Sequence, residues 1–138
     1  LEMVSTLVEP WGETAQVLAY LHDVVEDTPI SIDVIKKEFG EEIANYVDLI
    51  TDCNGKNRKE RKLKTNEKLS KINDEVLVLV VKVCDRIVNV GMSIATKNKK
   101  LLEMYKKEHE EFKNAVYRKG LCDKLWDLLD YSIQLEEF

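Results

Sequence analysis

His22-Asp23-Val24-Val25-Glu26-Asp27 places one imidazole and three carboxylates within six residues of an otherwise apolar stretch. Ala19, Tyr20, Leu21, Val24 and Val25 surround them, so the segment is expected to lie against a core. There, ionisable groups are costly unless paired or bound to a metal. On a helix His22 and Glu26 are spaced i,i+4, as are Asp23 and Asp27, which stacks two pairs on adjoining faces. One reading is an ion-pair lattice that closes a helix end before Pro29. The other is a metal site, favoured because three acids and one imidazole leave negative charge over. A neutral imidazole with a carboxylate suits Mn, Fe, Zn or Co better than Ca or Mg.

Two ligands on one helix are not a complete site. The best further donor is Lys82-Val83-Cys84-Asp85-Arg86-Ile87-Val88-Asn89, which follows the apolar run Val76-Leu77-Val78-Leu79-Val80-Val81. That run is β-branched and by composition reads as a strand. Polar positions 82, 85, 86 and 89 recur at helical spacing, so a buried helix is expected, with Asp85 and Asn89 one turn apart. Asp85 then either pairs with Lys82 or Arg86 at a helix surface or serves as a ligand. Between the two motifs lies a basic run from Lys56 to Lys71 with six more positive than negative charges, in a chain of net charge −5. A solvated loop and helix face is the ordinary fate of such a run. The functional reading has Arg58, Arg61 and Lys62 contacting phosphate, since arginine offers a bidentate fork.

Leu21-His22-Asp23-Val24-Val25-Glu26-Asp27-Thr28 resembles the central signature of the HD superfamily, in its RelA/SpoT-type hydrolase branch. Phe39-Gly40-Glu41-Glu42-Ile43, Val47-Asp48-Leu49-Ile50-Thr51-Asp52 and Val81 to Val90 continue the likeness at the right spacing. The stretch 56–62 and Tyr105-Lys106-Lys107-Glu108-His109 are similar to small single-domain members. The resemblance implies an all-α, compact HD-domain helical bundle with the metal site between the motif helices. It makes His22, Asp23 and Asp85 ligands of a divalent metal, typically Mn²⁺. Glu26 and Asp27 become the catalytic acids that orient or activate the attacking water, and Asn89 lines the nucleotide pocket. The implied substrate is a small-molecule nucleotide, and the implied reaction removes the 3′-pyrophosphate from guanosine alarmones, (p)ppGpp. A related hydrolase for another small nucleotide and a non-catalytic nucleotide-binding regulator are the alternatives.

Two departures stand out. Family members carry a further metal-binding His, usually followed by Pro, before the His-Asp motif, and no His precedes His22 here. The expectation is therefore a single HD-type phosphohydrolase domain over 1–138 that lacks its N-terminal helix and first ligand. Gly91 stands where many relatives have a charged residue, which bears on the substrate more than on the chemistry.

The remaining chain reads as scaffold. With 138 residues, 44% apolar, only five Gly and two Pro, one all-α domain is expected. Helices are placed near 2–8, 13–27, 31–39, 41–52, 59–71, 74–95, 99–116 and 119–135, with Ser31 as a start signal and Gly40 as a stop. Cys53, Cys84 and Cys122 are odd in number and lack a CxxC pair, which fits a reducing cytoplasm and no disulfide framework. Cys84 is expected in the core. No segment suits a bilayer span, and a chain this acidic without an RNA- or DNA-binding pattern is not expected to take nucleic acid. His109, among Lys106, Lys107, Glu108, Glu110 and Glu111, is expected on a solvated helix face. Trp126 fits core packing or a face between copies in a homo-oligomer, and Trp11 caps the loop into the motif helix.

Overall fold

The apolar run from Val76 starts the longest helix, and the bundle is built around it. In the computed structural model, which describes residues 2–135, nine α-helices and one 3₁₀ turn account for the regular structure of the described residues. They are α1 (Glu2–Val8), the 3₁₀ turn Glu9–Trp11, α2 (Glu13–Leu21), α3 (Val24–Asp27), α4 (Ile32–Phe39), α5 (Glu41–Ile50), α6 (Arg58–Ser70), α7 (Val76–Ala95), α8 (Lys99–Val116) and α9 (Asp123–Ile133). Val78, Leu79, Val80 and Val81 are all buried, so this part of α7 is covered on every side. Helices α1, α2, α5, α8 and α9 all pack on it. The all-α expectation holds, and the β-branched run is helical because tertiary burial outweighs its strand propensity.

Local signals set several boundaries. Ser31 accepts a hydrogen bond from the Val34 N–H at 3.4 Å and opens α4. Gly40, at φ +94°, ends α4 and begins α5 with a conformation costly for other residues. Asn57 caps α6 through the Glu60 N–H and Asn98 caps α8 through the Leu101 N–H.

The expected single helix over 13–27 is two helices, broken at His22 and Asp23. An uninterrupted helix would give the Ala19 carbonyl to the Asp23 N–H. Here the His22 ring takes that carbonyl through Nδ1. The helix ends because its own side chain competes for the acceptor. His109 also departs from expectation. Its side chain is only 15% exposed and bonds Asp130 of α9 at 2.7 Å, because α9 covers the α8 face that composition marked as solvated.

Candidate active site

His22 is the pivot. Its Nδ1–H donates to the Ala19 carbonyl, which can only accept, so Nε2 is turned toward α7. Nε2 lies 3.1 Å from Asp23 Oδ2 and 3.2 Å from Asp85 Oδ1. His22 is buried, which disfavours its charge. The two carboxylates outweigh that and raise its pKa to about 10. The His22 bond likewise holds Asp23 below the usual carboxylate range.

The donors fit a divalent cation in kind: one imidazole nitrogen oriented by a backbone carbonyl and two carboxylates aimed at it. They are drawn together around a shared proton, and no three His, Cys, Asp or Glu side chains of the described residues stand open as a preformed cage. A cation would enter by replacing that proton.

Beside the trio lies a cationic floor. Asp52, just past the end of α5, bonds Lys62 of α6 at 2.5 Å and Lys82 of α7 at 3.1 Å. Burial alone would raise the Asp52 carboxyl, but the two ammonium groups hold it at about 2. The Asp52 N–H donates to Glu26 Oε1 at 2.9 Å, which ties the motif helix α3 to the same floor. Glu26 is exposed by surface area, yet enough protein crowds its carboxyl that desolvation, followed by the Asp52 charge, raises its pKa. Together these groups line a hollow of about 100 Å³. Larger surface hollows between α5 and α6 and at the start of α8 hold no comparable set of groups.

Of the residues singled out from sequence, His22, Asp23, Glu26, Asp85 and Lys62 come together here. Asp27 is exposed at the end of α3, outside the hollow, and Asn89 lies one turn beyond Asp85 on α7. Arg61 is half-buried over the Asn54-Gly55 turn, where its Cγ lies 3.1 Å from the position a Gly55 Cβ would take. Arg58 is engaged elsewhere, in a fork on Glu108 at 2.7 and 3.0 Å. The basic run is largely satisfied by protein. Lys64 and Lys71 pair with Glu60 and Glu67, and Lys68 bonds the carbonyls of Asp48 and Thr51. Asp52 and Lys82 are the members that residue-level reading did not assign. Lys82 could have been found, because it lies one turn before Asp85 on the same helical face. Asp52 carries no local signal, since Lys82 is 30 residues away.

No protein-family model matches the chain. It is 31% identical over 131 residues to a probable guanosine-3′,5′-bis(diphosphate) 3′-pyrophosphohydrolase of Synechocystis, covering 91% of this chain and 17% of that protein. It is 31% identical over 90 residues to a guanosine-3′,5′-bis(diphosphate) 3′-pyrophosphohydrolase of Borreliella burgdorferi, covering 62% of this chain and 14% of that one. A probable GTP pyrophosphokinase of Mycobacterium leprae is 27% identical over 88% of this chain and 16% of its own length. The chain thus spans less than a fifth of the length of these relatives. Among solved structures, a metazoan ortholog of SpoT that hydrolyses ppGpp superposes with a TM-score of 0.80 at 24% identity, over 96% of this chain and 76% of that one. A Listeria monocytogenes EGD-e protein superposes at 0.76 and 23% identity, over 96% and 94%.

Proposed function

Starting from a chain that belongs, in sequence and fold, to the RelA/SpoT-type HD hydrolase domains, we propose that it removes pyrophosphate from the 3′ position of guanosine bis(diphosphates). The observation that carries this reading is the His22–Asp23–Asp85 trio set directly against the Asp52–Lys62–Lys82 floor. One half offers metal donors and the other cations for phosphate.

His22, Asp23 and Asp85 would hold the divalent metal, which we assign as Mn²⁺ on donor type. When bound, it supplies an activated water and polarises a phosphoryl oxygen. Lys62 and Lys82 neutralise the remaining phosphoryl oxygens, and Asp52 holds both ammonium groups in place before substrate arrives. Glu26, with its raised pKa and its second oxygen unconstrained by the Asp52 N–H, takes a proton from the attacking water and returns one to the leaving oxygen. Asp27, one turn beyond Asp23, is the second carboxylate of the pair. A hollow of about 100 Å³ is small beside the several hundred Å³ of whole-ligand pockets. It admits a phosphoryl group and a cation, so the nucleoside lies outside it, with Asn89 as the contact we assign from α7 and Arg61 as a further phosphate contact from α6.

The test is Mn²⁺-dependent pyrophosphate release from a nucleotide panel, by this chain and by a form extended at its N-terminus, with Asp85→Ala as control. Release is expected from guanosine 3′,5′-bis(diphosphate), reduced at least about a hundredfold in the variant. Binding without turnover in both forms would replace the hydrolase with a nucleotide-binding regulator.

A further inference from the structure

Arg86 follows Asp85 on α7, and its side chain is only 8% exposed. Its guanidinium lies 4.1 Å from the Phe112 ring centre and 4.9 Å from that of Tyr105, both on α8. Stacking leaves the N–H edges unsatisfied, and Nη1 is buried with no hydrogen-bond partner. Nη2 stops 3.6 Å short of Glu108 Oε1, within ion-pair range and beyond a hydrogen bond. Glu108 is already taken. Arg58, at 37% side-chain exposure, forks onto both of its oxygens. Two guanidinium groups therefore share one carboxylate, and the more exposed of them holds the better bonds. That is the reverse of what burial favours, since the buried cation loses most by lacking a partner.

Arg58 is also the residue with somewhere to go. It stands one turn before Lys62 on α6, so the two share a face of that helix, and Lys62 enters the hollow. From these positions we infer that Glu108 is a hand-over carboxylate: an arriving phosphate draws Arg58 off it, and Arg86 takes the vacated oxygens. The exchange never leaves Glu108 without a guanidinium, gives the buried Nη1 or Nη2 its missing acceptor, and adds a bidentate phosphate contact to the Lys62–Lys82 floor. Arg58 is then the residue that touches substrate, and Glu108 and Arg86 are positioning residues. This inference rests on the phosphohydrolase reading above.

The test titrates inorganic pyrophosphate, then guanosine 3′,5′-bis(diphosphate), into protein ¹⁵N-labelled in arginine and loaded with diamagnetic Zn²⁺, which suits the same donors without broadening nearby arginine signals. Dissociation constants are measured in parallel for wild type, Arg86→Met, Glu108→Gln and the double variant, each checked by thermal melting. Saturation is expected to shift the Arg58 Nε–H signal and to bring out slowly exchanging Arg86 Nη–H signals. Arg86→Met should weaken binding about tenfold and Glu108→Gln tighten it, with the Arg86 effect vanishing when Glu108 is already Gln. A merely structural Arg86 would cost the same in both backgrounds, and that result overturns the inference. So does pyrophosphate that fails to bind, or that binds with Arg58 Nε–H unmoved. If Arg86→Met does not fold, the wild-type spectra decide alone. Hand-over on pyrophosphate without turnover of the nucleotide sinks only the hydrolase reading, whereas turnover with Arg58 still on Glu108 sinks only the hand-over.

Discussion

At the scale of single residues, the site is governed by the proton that its carboxylates hold on His22. His22 Nε2 faces Asp23 and Asp85, and despite burial its pKa stands at about 10. A divalent cation taking the same donors must displace a proton at neutral pH. Calorimetry in buffers of different ionisation enthalpy should show about one proton released per metal, with affinity rising about tenfold per pH unit between about pH 7 and 9. A binding heat independent of buffer would contradict this. Without metal the sign is the other way. A raised folded pKa makes the imidazolium fully stabilising below about pH 6.5, and that contribution is lost as pH climbs through about 10. Asp52 is the opposite case, with its pKa depressed to about 2. Its stabilisation is complete above about pH 4 and disappears as pH falls toward 2. Asp52→Asn should therefore remove about 2 kcal/mol at pH 7 and flatten the stability curve over that acid window, as read by urea denaturation at stepped pH.

At the scale of elements, two joints decide where the site helices sit. Gly55 passes beneath the first turn of α6, where an added Cβ would lie 2.9 Å from the Arg61 backbone nitrogen. Gly55→Ala should cost about 1–3 kcal/mol and, by shifting the turn that carries Arg58 and Lys62, weaken phosphate binding as well. Arg118 is the second joint. Nη1 donates to the Ala115 and Tyr117 carbonyls at the end of α8, and Nη2 to those of Leu69 and Ile72 at the end of α6, at 2.8 to 3.2 Å. Arg118→Met strands these helix-end acceptors and should lower stability by about 1–3 kcal/mol while leaving metal affinity unchanged, since no site group touches it. A parallel fall in metal affinity would show the joint reaching the site.

At the scale of the molecule, α8 and α9 are joined on α7 through Trp126, which is 2% exposed and packs on Phe112 and Tyr117 at 5.7 and 5.9 Å between ring centres. Trp126→Ala should cost about 3–5 kcal/mol, seen as a lowered thermal midpoint with the site's donors intact. This burial also disposes of Trp126 as a face between copies, since a side chain spent in the core presents no surface. What could be read without coordinates was short-range. The helical spacing of 82, 85 and 89, the Ser31 cap and the Gly40 stop each depend on residues within a turn or two, where backbone geometry alone dictates neighbours. The break at His22 was not readable, because nothing nearby shows that its ring outcompetes the helix for the Ala19 carbonyl until Asp23 and Asp85 turn Nε2 away. Nor was the fate of the cations. Arg86 is stacked and buried, Arg58 lies on Glu108 50 residues on, and Lys82 is committed to Asp52 instead of Asp85. The sequence by itself determined which side chains the motif helices carry and at what spacing. Only the tertiary structure decided which charge each one meets, because His22 and Asp85 stand 63 residues apart and their contact exists only once α2 has packed on α7.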